Sequence, residues 1–157
     1  MYVKNEFEKL VFLDSEILIL GSFPSVKSRE KNFYYMNPYN RFWKVLSNIY
    51  HEDFISTNIM TKKALLKKYK IALYDVVLAC DIDKSKDNSI TNIVPTNIKE
   101  LIKGTNIKRI FLNGRTAEKI FLKYNDIDIP YFSLPSTSSA NAKMSLEELV
   151  SRWEIII

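Results

Sequence analysis

The residues best suited to chemistry lie between Gly21 and Leu46, in the stretch GSFPSVKSREKNFYYMNPYNRFWKVL. The run Phe33-Tyr34-Tyr35 offers ring faces on which a nucleobase could stack, an interaction worth about 1–3 kcal/mol per base. An aromatic cluster can instead belong to the core, and we favour that interpretation for Phe33 and Tyr34. Three consecutive aromatic side chains on an irregular loop cannot all face inward. We therefore expect at least one of them near solvent.

Asn40 is the second candidate, because a carboxamide both donates and accepts hydrogen bonds. It can match a C=O beside an N–H, which is the lactam edge shared by uracil and hypoxanthine, and it can hold a water molecule. The pair Asn37-Pro38 predicts a helix start, with Asn37 as N-cap. Asn40 would then lie in the first turn, where free N–H groups and the helix dipole favour an anion. The alternative is a solvent-facing helix residue.

A second stretch of interest, LPSTSSANAK at residues 134–143, is rich in small hydroxyl side chains. Such residues suit phosphate contacts because they do not block the approach of a backbone. The alternative is a flexible loop without function. The residues of both stretches that we expect to contact the phosphate groups of a nucleic acid are Ser25, Lys27, Ser28, Ser136, Thr137, Ser138, Ser139, Asn141 and Lys143.

Composition excludes several chemistries. Only three glycines are present, so neither glycine-rich phosphate-binding motif can be written. One Cys and one His exclude a disulfide framework and cysteine-bound zinc or iron–sulfur sites. The acidic stretch Asp81–Asp87 starts like a calcium loop but has Lys86 where glycine is required, so we interpret it as a solvated loop. We expect His51 at the surface.

The charge and the N-terminus indicate the setting. A net charge of +5 and a pI near 9.2 are compatible with a polyanionic partner, although a solvated lysine-rich surface is the simpler explanation of charge alone. No apolar run approaches the ~20 residues of a membrane span, and no signal-peptide core is present. We expect a soluble, cytoplasmic monomer with no membrane partner, associated with the nucleoid if the source is bacterial.

Alternating strands and helices must position these residues. The strand candidates are residues 16–20, 71–79, 107–112 and 129–134; the helix candidates are residues 5–13, 38–50, 60–69, 96–103, 115–124 and a last helix capped by Ser145. This alternation predicts a single α/β domain, residues 1–157. It would be a three-layer α/β/α sandwich around a central, mainly parallel four-stranded sheet. Four loops would meet at the carboxyl edge: Ser22–Tyr39, Cys80–Asn92, Asn113–Arg115 and Pro135–Lys143.

These motifs resemble a known family. GSFPS at Gly21–Ser25 together with NPYNRFWK at Asn37–Lys44 looks like the first motif region of the uracil-DNA glycosylase superfamily. The NRFWK run is similar to that of the mismatch-specific uracil-DNA glycosylases. GSFPS, FYY and LPSTSSAN together are most similar to the hypoxanthine-DNA (deoxyinosine) glycosylase branch. Pro135-Ser136 matches the second motif of the superfamily.

The resemblance implies roles for particular residues. Most members carry Asp or Asn just before the first-motif proline, where it positions the hydrolytic water, and here that residue is Phe23. In the hypoxanthine branch the Asn of NRFW takes the catalytic role, which implies Asn40. Tyr35 matches the residue that stacks on the extruded base. Leu134 stands where the second motif carries His or Asn, and small residues around Ser138 occupy its wedge position.

The sequence therefore predicts a monofunctional DNA glycosylase of base excision repair that removes hypoxanthine, and perhaps uracil or xanthine, from duplex DNA. Asn40 would orient the water. Asn40 or Asn113 would recognise the base, with the backbone N–H groups of Ser22 and Phe23 and with Tyr35 as the stacking face. No metal or cofactor is implied. Two alternatives are a mismatch-specific uracil-DNA glycosylase and a non-catalytic nucleic-acid-binding protein on the same fold. A third, a small-molecule hydrolase or nucleotide-binding protein, is disfavoured because the sequence has no glycine-rich phosphate loop and no evident Ser-His-Asp triad.

Overall fold

The computed structural model describes residues 1–157 as seven strands, six helices and two short 3-10 segments. The strands are β1 (Tyr2–Lys4), β2 (Ile17–Gly21), β3 (Ile71–Asp75), β4 (Val77–Asp81), β5 (Thr91–Pro95), β6 (Arg109–Asn113) and β7 (Tyr131–Leu134). The helices are α1 (Val26–Lys31), α2 (Phe42–Tyr50), α3 (Ile59–Lys68), α4 (Ile98–Leu101), α5 (Arg115–Tyr124) and α6 (Leu146–Trp153); the 3-10 segments are Asp87–Ser89 and Glu154–Ile156.

A four-stranded parallel sheet in the order β3-β2-β6-β7 forms the centre of the fold. All five residues of β2 and of β3 are buried. Successive side chains of a strand point to opposite faces, so both faces of this part of the sheet are covered. The expected α/β architecture with a central parallel sheet is confirmed.

A second, antiparallel sheet in the order β1-β4-β5 was not predicted. The apolar segment 71–79, predicted as one strand, is divided at Val76 between β3 and β4. Val76 and Val77 donate to the carbonyls of Gly21 and Ser22, and the chain then leaves the parallel sheet to pair with β1. No Gly or Pro marks this division, so hydrophobicity alone shows one continuous strand.

The helix predicted for residues 5–13 is wrong. The segment forms no helix, and the backbones of Leu10 and Leu73 exchange two hydrogen bonds in an isolated antiparallel bridge. Phe7 and Leu10 are both buried, as the helical interpretation required. Their spacing of three residues is compatible with either conformation in so short a segment. Pairing with β3 therefore decides the structure.

Helix ends differ from expectation at two places. Asn37-Pro38 forms a turn, and α2 begins four residues later, at Phe42. The helix predicted over residues 96–103, with Thr96 as its expected cap, is shorter: α4 spans Ile98–Leu101 and is capped by Asn97. The buried Thr96 hydroxyl instead donates to the Asp75 carbonyl. Other expectations hold: α5 spans the predicted residues 115–124, α3 lies within one residue of its predicted range, and Ser145 caps α6. The short α1 was not predicted.

None of the helices combines the length and the apolar character needed to cross a lipid bilayer.

Candidate active site

The loops at the carboxyl edge of the parallel sheet are joined by hydrogen bonds. Ser22 Oγ, just after β2, donates to Asp87 Oδ1 at 2.8 Å, across to the loop between β4 and β5. The backbone N–H of Arg41 donates to the Thr137 carbonyl at 2.9 Å, which joins the first loop to the loop after β7. Residues distant in sequence are therefore held together at the edge where the sequence predicted a site.

Asn40 lies just before α2 and helps to start that helix. Its Oδ1 accepts a hydrogen bond from the Phe42 N–H at 2.9 Å, so the carboxamide is held in one orientation. The expectation that Asn40 lies inside the first helical turn is wrong. Two N–H groups at this end, those of Arg41 and Phe42, are already bonded within the protein, so the helix end is less open to an anion than expected. The carbonyl oxygen of an amide has two lone pairs, which leaves Asn40 Oδ1 able to accept from a water.

Tyr35 has its ring between the core and the edge. The ring stacks on Phe42 with a centroid separation of 4.0 Å, so a base could use only the opposite face. The hydroxyl is buried and has no hydrogen-bond partner in the protein. Burial, with the nearby Asp75 carboxylate, raises the pKa of the Tyr35 hydroxyl, which stays protonated. As expected, Phe33 and Tyr34 are core residues, and Tyr35 is the partly exposed member of the trio.

Asp75 is a site residue that the sequence reasoning missed. It ends β3 and is only 4% exposed, and its Oδ2 accepts from Asn5 Nδ2 at 3.1 Å. Its Oδ1 faces Gly21 so closely that a methyl group at position 21 would lie 2.7 Å from it and 2.8 Å from the Tyr35 hydroxyl. Burial and, to a lesser degree, the charge of Asp87 raise the pKa of Asp75 to about 7. The signal was a carboxylate in the middle of the apolar run 71–79, which was predicted as one continuous strand.

Asp87 lies in the loop that was interpreted as solvated, and residues 83–88 of that loop are exposed, as expected. Its carboxylate nevertheless accepts a hydrogen bond from Ser22 Oγ, and desolvation by the protein around it raises its pKa above the usual range. The backbone N–H groups of Ser22 and Phe23 donate to no backbone carbonyl. The Phe23 ring is buried beneath the Arg29 guanidinium, with 5.7 Å between them. The first motif thus offers backbone donors, while the carboxyl groups come from β3 and the β4–β5 loop.

Asn113 is tied to the loop after β7 through both atoms of its carboxamide. Its Nδ2 donates to Thr137 Oγ1 and its Oδ1 accepts from the Thr137 N–H, both at 3.0 Å. The base-binding role predicted for Asn113 would have to use the remaining hydrogen of its amide group. The first role of Asn113 in the structure is therefore to hold Thr137.

Two of the residues predicted to contact DNA are buried and support the loops. Thr137 is completely buried, and Ser28 is 2% exposed, with its Oγ accepting from the Met36 N–H. Their side chains cannot reach a phosphate, so we replace the predicted DNA contact by a role in loop support. The loop after β7 is also held by Asn141 Nδ2, which donates to the Ser136 carbonyl at 3.0 Å.

The other predicted contact residues remain accessible in different degrees. Lys27, Ser139 and Lys143 are exposed, and Lys27 lies 3.5 Å from Glu30 in a solvated ion pair. Ser25 caps α1, and its side chain is partly buried. Ser136, Ser138 and Asn141 are also partly buried and bonded within their own loop. A phosphate could therefore be met by exposed lysines and by hydroxyl groups at the loop surface.

One surface cleft lies beside this cluster and not at it. It has a volume of about 560 Å³ and is lined by residues of α1 and of the β4–β5 loop, including Arg29, Asp83 and Lys84. Neither Asn40 nor Tyr35 lines it. Its wall mixes cationic and acidic side chains, a less suitable lining for a polyanion than the loops described above.

Comparison with known proteins fits this geometry. The family model of the uracil DNA glycosylase superfamily matches residues 9–156. Two relatives named hypoxanthine DNA glycosylase are similar over nearly their whole length. The protein from Methanosarcina acetivorans is 31% identical, covering 98% of each chain; that from Methanosarcina barkeri is 33% identical, covering 96% of this chain and 95% of its own.

A solved structure agrees with the same assignment. A solution NMR structure of a protein from Methanosarcina acetivorans, described as a candidate uracil DNA glycosylase, superposes with a TM-score of 0.86 at 31% identity, covering 99% of this chain and 96% of that one. The fold and the edge site thus define an α/β protein of the glycosylase type. The chain belongs to the uracil DNA glycosylase superfamily.

Proposed function

We propose that this member of the superfamily is a monofunctional DNA glycosylase that hydrolyses the N-glycosidic bond of hypoxanthine in DNA and accepts uracil or xanthine as related substrates. The observation that carries the proposal is the fixed carboxamide of Asn40, held by the Phe42 N–H at the carboxyl edge between two loops of the site. The names of the two Methanosarcina relatives support hypoxanthine as the first substrate to test.

The proposed reaction begins when the damaged nucleotide leaves the duplex and enters the edge site. Extrusion requires unpairing and unstacking, which cost least for a poorly paired base. The base lies against the face of the Tyr35 ring opposite Phe42, which covers the other face. Stacking on one aromatic ring is sequence-tolerant, so it favours any flat base and leaves discrimination to polar groups.

Bond cleavage then separates charge between the sugar and the base. The C1′–N bond breaks towards an oxocarbenium ion, and the bonding electrons leave with the base. Asn40 Oδ1 accepts a hydrogen bond from a water molecule whose oxygen attacks C1′. The proton released from that water balances the anionic base, directly or through solvent. The N–H groups of Ser22 and Phe23, which donate to no backbone carbonyl, are suited to stabilise the departing base.

Asp75 contributes through its protonation state. A carboxylate next to the base would oppose the developing negative charge, whereas the neutral acid can donate a hydrogen bond. Burial raises the pKa of Asp75 to about 7, so a substantial fraction is neutral near physiological pH. No carboxylate of the first motif can position the water here, because Phe23 occupies the position before the motif's proline. The nearby carboxyl group is instead that of Asp75, at the end of β3.

A base-excision assay tests the proposal. Duplexes containing hypoxanthine, uracil or xanthine are incubated with the protein, and abasic sites are measured after alkaline cleavage. We expect release of hypoxanthine, with a rate loss of about 10²–10⁴-fold in Asn40→Ala because the water loses its acceptor. Asn48→Ala is the control, since Asn48 is an exposed carboxamide on α2 that bonds only to the Lys44 carbonyl.

Two outcomes would contradict parts of the proposal. Full activity in a folded Asn40→Ala protein would remove Asn40 from catalysis. Release of uracil from mismatches but not of hypoxanthine would favour a mismatch-specific uracil-DNA glycosylase. The absence of a carboxyl group at Phe23 is the feature that favours a non-catalytic DNA-binding protein; salt-dependent binding without release of any base would support that alternative.

A further inference from the structure

Tyr39 is an aromatic residue whose side chain is not packed into the core of the fold. Its side chain is 75% exposed. Across the four loops of the carboxyl edge, Ser22–Tyr39, Cys80–Asn92, Asn113–Arg115 and Pro135–Lys143, it is the only exposed large apolar side chain. Its ring also pairs with no other aromatic ring in the molecule. Neither core packing nor an aromatic cluster explains its presence.

The turn that carries Tyr39 is firmly held. The N–H groups of Tyr39 and Asn40 donate to the side-chain and backbone oxygens of Asn37, both at 2.9 Å. The next residue, Arg41, donates through its guanidinium to the carbonyls of Met144 at 2.6 Å and Asn141 at 2.9 Å. A ring presented on a backbone that is already fixed loses little conformational entropy on binding.

The position of Tyr39 in the chain places it one residue from Asn40. Consecutive Cα atoms lie about 3.8 Å apart, so the turn that fixes Asn40 also carries the exposed ring of Tyr39. When Asn40 acts on C1′ of an extruded nucleotide, the ring is on the same turn and is a candidate to contact the bases beside the gap. The other loop that approaches this turn presents Ser138 and Ser139, whose side chains are too small to fill such a gap.

We propose that Tyr39 stacks on the base that is left unstacked when the damaged nucleotide is extruded, and so keeps the duplex open while Asn40 acts. The proposal rests on the function proposed above and adds a residue that positions the DNA without touching the reacting atoms. Apolar side chains inserted at base steps compensate for unstacking in other DNA-binding proteins. Here the aromatic ring would come from the turn of the first loop and not from the loop after β7.

The test separates stacking in a duplex from chemistry on the base. We expect Tyr39→Ala to reduce excision of hypoxanthine from duplex DNA by about tenfold or more, the loss of one aromatic stack. Excision from a single strand should stay within about threefold of wild type, because no gap has to be held open. Tyr39→Phe should keep the duplex activity. The matched control is Tyr124→Ala, another exposed tyrosine, at the far end of α5.

Binding supplies a readout that does not depend on catalysis. The affinity of each variant is measured for a duplex containing a tetrahydrofuran abasic analogue and for the intact duplex. Tyr39→Ala should weaken the first by about tenfold and leave the second nearly unchanged. If the wild-type protein releases no base from any substrate but this difference persists, the proposed function fails and the role of Tyr39 stands.

Several results would overturn the role of Tyr39. The first is an equal loss of excision rate for Tyr39→Ala on single-stranded and duplex DNA. The second is equal affinity of wild type and Tyr39→Ala for the abasic duplex. The last is a Tyr39→Phe variant with as large a loss of duplex excision as Tyr39→Ala. The first would mean that the substitution disturbs Asn40 through the turn, and the last would assign the effect to the hydroxyl group.

Discussion

Asp75 shows how one residue can link the stability of this protein to its chemistry. It is a carboxyl group at the end of β3, buried beside Gly21 and the Tyr35 hydroxyl, with Asn5 as its only hydrogen-bond donor. Since its pKa rises to about 7 in the folded state, from about 3.9 in an unfolded chain, the folded protein holds a proton that the unfolded chain releases.

The stability of the protein should therefore fall between about pH 4 and pH 7 through this group. The contribution is fully present below the unfolded pKa and is lost as the pH rises through the folded pKa, with a limiting slope of about 1.4 kcal/mol per pH unit. We expect Asp75→Asn, which cannot ionise, to gain stability relative to wild type as the pH increases from 5 to 8. Urea denaturation at each pH measures the difference.

A matched carboxyl group makes this measurement selective. Asp128→Asn removes an acid from the loop between α5 and β7, away from the parallel edge of the site. The difference in unfolding free energy between Asp128→Asn and wild type should not follow, between pH 5 and pH 8, the change that we expect for Asp75→Asn. Parallel curves for wild type and Asp75→Asn would show that Asp75 titrates normally and would remove the neutral acid from the proposed mechanism.

The residue scale also shows what the sequence could and could not reveal about the site. Asn40 and Tyr35 were found because motif spacing drew attention to them, and their assigned roles remain predictions. Asp75 and Asp87 were missed, since a carboxylate in an apolar run and one in a charged loop look ordinary in sequence. Only the parallel pairing of β2 with β3, together with the position of the β4–β5 loop, brings both carboxyl groups to the first motif. Thr137 and Ser28 were overvalued because sequence does not report burial.

At the scale of elements, the fit between β2, β3 and the turn at Tyr35 leaves no space at Gly21. A Cβ there would lie 2.7 Å from Asp75 Oδ1 and 2.8 Å from the Tyr35 hydroxyl oxygen. We expect Gly21→Ala to destabilise the protein by about 1–3 kcal/mol, because overpacking forces a rigid neighbour to move. Denaturant unfolding of the variant measures the loss.

A second substitution identifies the cause of that loss. Tyr35→Phe removes one of the two crowding oxygens, and by itself it should cost little because the hydroxyl has no partner. The double variant should therefore be more stable than Gly21→Ala alone. If Tyr35→Phe gives no relief, the crowding arises only at Asp75.

Element prediction succeeded where local signals are complete and failed where pairing decides. The cap at Ser145 and the strands β2 and β6 follow from short-range patterns that no partner overrides. Residues 5–13 and the division at Val76 depend on which strand each segment meets. A pairing partner lies tens of residues away in sequence, and no periodicity in the segment itself records it.

The whole molecule is cationic, with a net charge of +5, and this surplus should appear in the salt dependence of DNA binding. Each phosphate neutralised by a lysine releases condensed counterions, so log K falls with log salt by about 0.9 per contact. We expect Lys143→Gln to reduce the magnitude of that slope by about one and to weaken binding to all sequences alike. Fluorescence anisotropy at several salt concentrations gives the slope.

A lysine on the other side of the molecule is the control. Lys123 lies in the last turn of α5, a helix that starts at the carboxyl edge and extends about 15 Å away from it. Lys123→Gln removes the same charge but should leave the slope unchanged. Equal effects of the two substitutions would show a response to net charge alone, and the contact assigned to Lys143 would be lost.

The dual position of Asn40 also constrains how this protein can change over generations. The same carboxamide oxygen that would hold the water accepts the hydrogen bond that starts α2. Most replacements would lose catalysis and weaken the helix together, so selection for folding alone would preserve this residue even in a lineage that no longer needs the reaction. Aspartate, whose codons differ from those of asparagine only at the first base, keeps an oxygen for the Phe42 N–H. Asn40→Asp is therefore the substitution by which a population no longer under selection for catalysis could lose the amide group and keep the fold.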